Sequence, residues 1–136
     1  MNKFPTIKIR WIFPIALLAV VALTLVACGP KGPTVVNVSL SEYKIVLDKT
    51  SLPAGPVKFV IKNTGTLIHE FVLEPAGVKD QPFETNGKKS EAEDIQPGQT
   101  AILEWTIDKA GEYQLTCYTP GHFEQGMTTT FTVTAP

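Results

Sequence analysis

The sequence predicts an all-β fold, an antiparallel β-sandwich that follows an N-terminal targeting segment. Three observations carry this reading. Beyond residue 33 the apolar residues fall in short runs that alternate with polar ones, the period of a half-buried strand. β-branched and aromatic residues dominate these runs, and Gly, Pro, Asn and Asp bound them. No helical periodicity outlasts two turns, apart from a weak one across Lys88 to Asp94. With 136 residues, 43% hydrophobic and 18% charged, the chain has room for one domain and the balance of a globular one.

The chain opens on Lys3, Lys8 and Arg10, followed by an apolar stretch from Trp11 to Ala27 that only Pro14 and Thr24 interrupt. This is the pattern of a secretory signal. An uncleaved membrane anchor is the alternative, but the stretch is near the lower limit for a span and Pro14 breaks it close to its start. Leu25-Val26-Ala27-Cys28 resembles a bacterial lipobox, in which the Cys is lipidated and becomes the new N-terminus. The expected organisation is therefore a lipoprotein signal peptide at 1–27, the lipidated Cys28 with a short Pro/Gly tether at 28–33, and the domain at 34–136. The mature protein would sit outside the cytoplasm, lipid-anchored to the membrane of a bacterial envelope. Losing three positive charges with the signal leaves it acidic.

Seven strands are expected in the domain: Val35–Leu40, Tyr43–Leu47, Pro56–Asn63, His69–Glu74, Thr100–Ile107, Gly111–Cys117 and Thr128–Thr134. That many short strands in one domain suit a sandwich. The segment from Pro75 to Gln99 is expected to be irregular, a solvated excursion with a short helix. Its Asp80, Glu84, Glu91, Glu93 and Asp94 also allow a docking surface for a basic partner.

Composition excludes several function classes. The net charge of −1, with no basic run, argues against nucleic acid, since neutralising phosphates needs clustered Lys and Arg. Two Cys cannot build a disulfide scaffold or a four-cysteine zinc site. With Cys28 lipidated, Cys117 would be the only thiol in an oxidising compartment, where something must protect it; a metal would.

Potential soft-metal donors are scarce: two His, two Cys and two Met, one of them the initiator. Cys117 ends one expected strand and Met127 precedes another. Between them Pro120-Gly121 turns the chain and presents His122. His69, the other imidazole, begins a strand after a turn-rich stretch, Asn63 to Ile68. Each residue alone has an ordinary structural reading: Cys117 and Met127 as core, His69 as a satisfied polar group, His122 as a turn residue. Together, two imidazoles, one thiolate and a weak thioether form the set that marks a blue-copper electron-transfer centre.

Here the chain resembles the cupredoxin family of small type 1 blue copper proteins, of the auracyanin, azurin and plastocyanin kind. The resemblance rests on Cys117-Tyr118-Thr119-Pro120-Gly121-His122-Phe123-Glu124-Gln125-Gly126-Met127, and on Gln96-Pro97-Gly98-Gln99 and Ala110-Gly111-Glu112-Tyr113 upstream. It covers about Val35 to Thr134. It implies a Greek-key sandwich holding one copper ion, with Cys117 as thiolate ligand, His69 and His122 as imidazole ligands and Met127 as axial ligand. It also implies electron passage through His122 in an apolar patch rimmed by Pro120, Gly121, Phe123 and Leu67. The chain departs from the pattern at Glu70, where relatives often carry Asn or Ser that ties the two ligand loops. It also has Ile68 where azurin has Gly, so no extra axial carbonyl is expected.

The function expected is a membrane-tethered one-electron carrier, monomeric, serving redox partner proteins. The alternative is an extracytoplasmic copper carrier or chaperone that delivers the ion, although one ligand set with no surplus His or Met suits exchange poorly. An enzyme is not expected: a copper oxidase or nitrite reductase needs a second centre, and two His cannot supply it.

Overall fold

The computed structural model describes Met1 and residues 32–136. Apart from Met1, the segment expected to be a signal peptide at 1–27 lies outside the described residues, as do Cys28 and the first part of the expected tether.

Eleven strands form among the described residues: β1 (Thr34–Ser41), β2 (Lys44–Leu47), β3 (Ser51–Pro53), β4 (Gly55–Asn63), β5 (His69–Pro75), β6 (Glu84–Thr85), β7 (Lys88–Lys89), β8 (Glu91–Ile95), β9 (Thr100–Ile107), β10 (Gly111–Thr116) and β11 (Thr128–Thr134). One sheet has the order β2-β1-β4-β9 and the other β3-β11-β10-β5-β8, while β6 and β7 make a separate hairpin. All seven expected strands are present.

Alternation in sequence becomes the inner face of each sheet. Val36, Val38 and Leu40 of β1 and Val57, Phe59 and Ile61 of β4 point inward and are buried. The register places Val36 beside Phe59 and Phe59 beside Leu103. From the other sheet Phe71, Leu73, Tyr113, Leu115, Phe131 and Val133 face them. Phe59 meets Phe71 at 5.3 Å and Phe131 at 6.2 Å between ring centroids, joining the two layers.

Two features differ from the sequence reading. The sandwich is not wholly antiparallel, since β1 runs parallel to β4 and β3 parallel to β11. Both pairs join strands distant in sequence, which local patterning does not orient. The segment from Pro75 to Gln99 also holds no helix: it forms the β6–β7 hairpin and then β8, an edge strand paired with the start of β5. The weak helical signal at Lys88–Asp94 loses to main-chain pairing and to Ser90. This buried residue donates its hydroxyl to Leu73 O and accepts from Phe83 N–H. The excursion covers the outer face of β5 and β10, so Val72, Glu74, Gln114 and Thr116 are buried there too.

This topology decides where the donors go. In the second sheet β5, β10 and β11 are neighbours, and the start of β5 and of β11 lie at the end where β10 finishes. His69, Cys117 and Met127 stand at those three strand ends.

Candidate metal centre

Cys117, His122 and Met127 come from one loop, shaped by its own backbone. His122 N–H donates to Thr119 O at 2.9 Å, and Gly126 N–H to Phe123 O at 2.9 Å. Gly121 and Gly126 both hold φ of +85°, a left-handed conformation that these turns require and that glycine adopts without a Cβ clash. Met127 N–H then donates to His122 O at 3.0 Å, and Cys117 N–H to Met127 O at 3.1 Å. The main chain of Met127 is thereby bonded to both of its loop partners.

All four residues expected from the sequence are brought to this end and buried. His69, Cys117 and Met127 have no exposed surface, and His122 retains 5%. Nδ1 of His69 lies 3.2 Å from Nδ1 of His122, which lies 3.5 Å from Cys117 Sγ. The donor atoms of His69, Cys117 and His122 fall within 4.8 Å of one another. Burial and the neighbouring His122 imidazole hold His69 below the usual histidine range, so it is neutral at pH 7 with a free lone pair. Two nitrogens that face each other and a thiol, with water excluded, gain little from being left alone. A soft ion that accepts imidazole and thiolate fits between them, and copper is such an ion.

A shell of hydrogen bonds fixes the donors. Glu70 N–H donates to Cys117 Sγ at 3.3 Å, and Thr119 Oγ1 lies 3.3 Å from the same sulfur. The Glu70 carboxylate accepts from Tyr118 N–H at 3.2 Å. Glu70 therefore ties the two ligand loops with a carboxylate. Burial raises its pKa, and the Tyr118 N–H only partly offsets this. Buried Asn63 closes the loop before His69: its amide donates to Leu67 O and Ile95 O, both at 2.8 Å, and its carbonyl accepts from Gly65 N–H at 2.9 Å.

The 75–90 excursion braces the ligand loop from outside. Buried Glu74 accepts from Tyr118 O–H at 2.5 Å, Gln114 Nε2 at 2.9 Å and Gln81 N–H at 2.8 Å. Burial, followed by the bond to Glu74, pushes the Tyr118 phenol up to about 12. Phe123 packs on Tyr118 at 5.3 Å, and the Lys79 ammonium sits 4.6 Å above its ring. The residue expected on the rim is thus half-buried in this brace. Tyr43 takes the place beside His122, edge-on at 5.4 Å and 43% exposed. Pro120, Gly121 and Leu67 are exposed as expected.

Sequence reasoning missed Asn63, Tyr43, Glu74 and Glu42, which caps the loop before His69. Only Asn63, in an Asn-Thr-Gly turn, carried a local signal. A hollow of 640 Å³ between Pro56 and Trp105 lies at the other end of β4 and is lined by none of the four residues.

The profile of the cupredoxin-like domain matches residues 14–133. The chain belongs to the cupredoxin-like family. Among proteins similar to this cupredoxin is the copper-resistant cuproprotein CopI of Vibrio cholerae serotype O1, 33% identical over 111 residues, covering 74% of this chain and 66% of that protein. CopI of Pseudomonas aeruginosa is 27% identical over 113 residues, covering 57% of this chain and 62% of that protein. The chain thus spans less than two thirds of the length of these relatives, at 66% and 62%. Among solved structures, dithionite-reduced auracyanin of Roseiflexus castenholzii superposes with a TM-score of 0.59 at 20% identity, over 76% of this chain and 99% of that one. At that identity the likeness establishes a shared cupredoxin fold.

Proposed function

We propose that this cupredoxin is a one-electron carrier built on a mononuclear type 1 copper centre, with His69, Cys117, His122 and Met127 as ligands. The observation that carries the proposal is the convergence of ligand atoms of His69, Cys117 and His122 within 4.8 Å in a buried site, with the two Nδ1 atoms 3.2 Å apart and Sγ 3.5 Å from that of His122. Copper bound there supplies a Cu(I)/Cu(II) couple. The protein's part is to hold its donors still. Each is anchored by main-chain bonds or by a strand end, so little rearranges when an electron arrives. His122 keeps a small exposed edge beside Tyr43, the natural point of electron entry.

A reaction is not assigned to the protein: both histidines of the chain are committed to one site, leaving no imidazole for a second copper. Lipidation at Cys28 would hold the protein to the outer side of a bacterial membrane, as a monomer that meets redox partner proteins along that surface. Mass spectrometry of the membrane fraction then shows Cys28 as a lipidated N-terminus. An intact Met1 or an unmodified Cys28 contradicts the anchor.

The relatives' printed name, copper-resistant cuproprotein, ties them to copper resistance and motivates testing a second reading, a copper carrier or chaperone that delivers the ion. Repeated redox cycling against a modest Cu(I) chelator separates the two. An electron carrier keeps its copper through many cycles; ready loss of Cu(I) points to delivery.

Met127→Leu is expected to keep copper and its visible band while raising the reduction potential, because a weak donor to the oxidised ion is lost. Voltammetry checks this, and a colourless variant contradicts the axial role of Met127.

A further inference from the structure

We propose that Glu42 is a positioning residue for His69: one carboxylate oxygen ties the loop that leads into His69 and faces the outer nitrogen of its ring. The inference rests on the copper reading for its purpose, though not for its geometry. Glu42 lies in the turn between β1 and β2. Its Oε1 accepts from Thr66 N–H at 2.6 Å, Leu67 N–H at 3.0 Å and the Thr66 hydroxyl at 3.2 Å. The same oxygen is 4.0 Å from Nε2 of His69. That nitrogen is buried and has no hydrogen-bond partner among the described residues. The loop leaves room for the carboxylate: a Cβ on Gly65 would come within 2.5 Å of Oε1.

A histidine that binds a metal through one nitrogen must carry its proton on the other, and an acceptor beyond that second nitrogen fixes both tautomer and ring orientation. For His69 the inward nitrogen is Nδ1, facing His122 and Cys117. Nε2 points toward Glu42, whose charge favours the proton there by Coulomb attraction. The three bonds to Oε1 hold the carboxylate in place. They also stop the Thr66–Leu67 backbone from drifting, so one contact sets both the path of the chain into His69 and the face of its ring.

Two variants of the full chain separate the parts. Glu42→Gln keeps an amide oxygen where Oε1 stands but loses the charge; Glu42→Ala loses both. In the copper-loaded protein Glu42→Ala is expected to lose copper to a chelator roughly tenfold or more faster than wild type and to alter the copper hyperfine pattern. Glu42→Gln is expected to restore both and to raise the reduction potential, which a merely structural cap would leave unchanged. A Glu42→Ala protein with wild-type copper retention and hyperfine pattern overturns the proposal, as does a Glu42→Gln protein no better than Glu42→Ala. Nitrogen NMR of the copper-free chain tests the geometry separately. His69 is expected to carry its proton on Nε2 in wild type and to divide between tautomers in Glu42→Ala; no difference overturns the proposal. If wild type takes up no copper, the copper reading fails, and the copper-free spectra still decide the role of Glu42.

Discussion

Cys117→Ala is expected to abolish the intense visible absorption of the copper-loaded protein while leaving the β-sandwich intact. The colour of a type 1 site arises from charge transfer between thiolate sulfur and copper, and among the described residues Cys117 is the only cysteine. Nothing else in the proposed set can replace it, since its other members are two imidazoles and a thioether, none of which supplies a thiolate. The fold survives because the bond from residue 117 N–H to Met127 O belongs to the main chain. Absorption spectroscopy on the reconstituted variant, with circular dichroism as the control, reads both halves. A variant that keeps an intense band contradicts the thiolate assignment.

Phe59→Ala is expected to have the largest effect on stability. Phe59 is fully buried and its ring touches Phe71 and Phe131 of the opposite sheet, so truncation opens a cavity between the layers. Removing a buried Phe costs about 3–5 kcal/mol when the surroundings relax only partly. That is a large share of the roughly 5–15 kcal/mol that holds an ordinary domain together. Urea unfolding of the copper-free protein gives the number. A loss under about 1 kcal/mol would mean the layers close over the gap, contrary to the tight packing seen.

The candidate donors were legible because such residues are scarce. With two His and one thiol in the domain, chemistry and strand ends pointed to the set; the structure brings His69, Cys117 and His122 within 4.8 Å and ties the main chain of buried Met127 to the same loop. The main strands were legible because each buries one face, which imposes alternation from Val36 to Leu40 and from Val57 to Ile61.

What stayed hidden depends on contacts that no local pattern encodes. β8 is an edge strand with mostly polar, partly exposed side chains, and its pairing with β5 shifts register between His69 and Phe71. Glu74 falls where alternation places a solvent-facing residue, but the excursion after it folds back and buries it against Gln114 and Tyr118. Glu42 is an exposed turn glutamate by any sequence criterion. Its role appears only when β1 and β4 pair and bring the Thr66–Leu67 backbone to its carboxylate. Glu70 shows the same thing, since only the folded chain brings its carboxylate to Tyr118 N–H and so ties the two loops.

The central claim is that His69, Cys117, His122 and Met127 make one type 1 copper centre. A copper titration of the purified chain, followed by visible absorption and electron paramagnetic resonance, tests it most directly. Saturation at one equivalent, with an intense visible band and narrow copper hyperfine splitting, is the expected result. A pale, weakly held Cu(II) signal with wide splitting would contradict it, because the thiolate and the two imidazoles would then not share one ion.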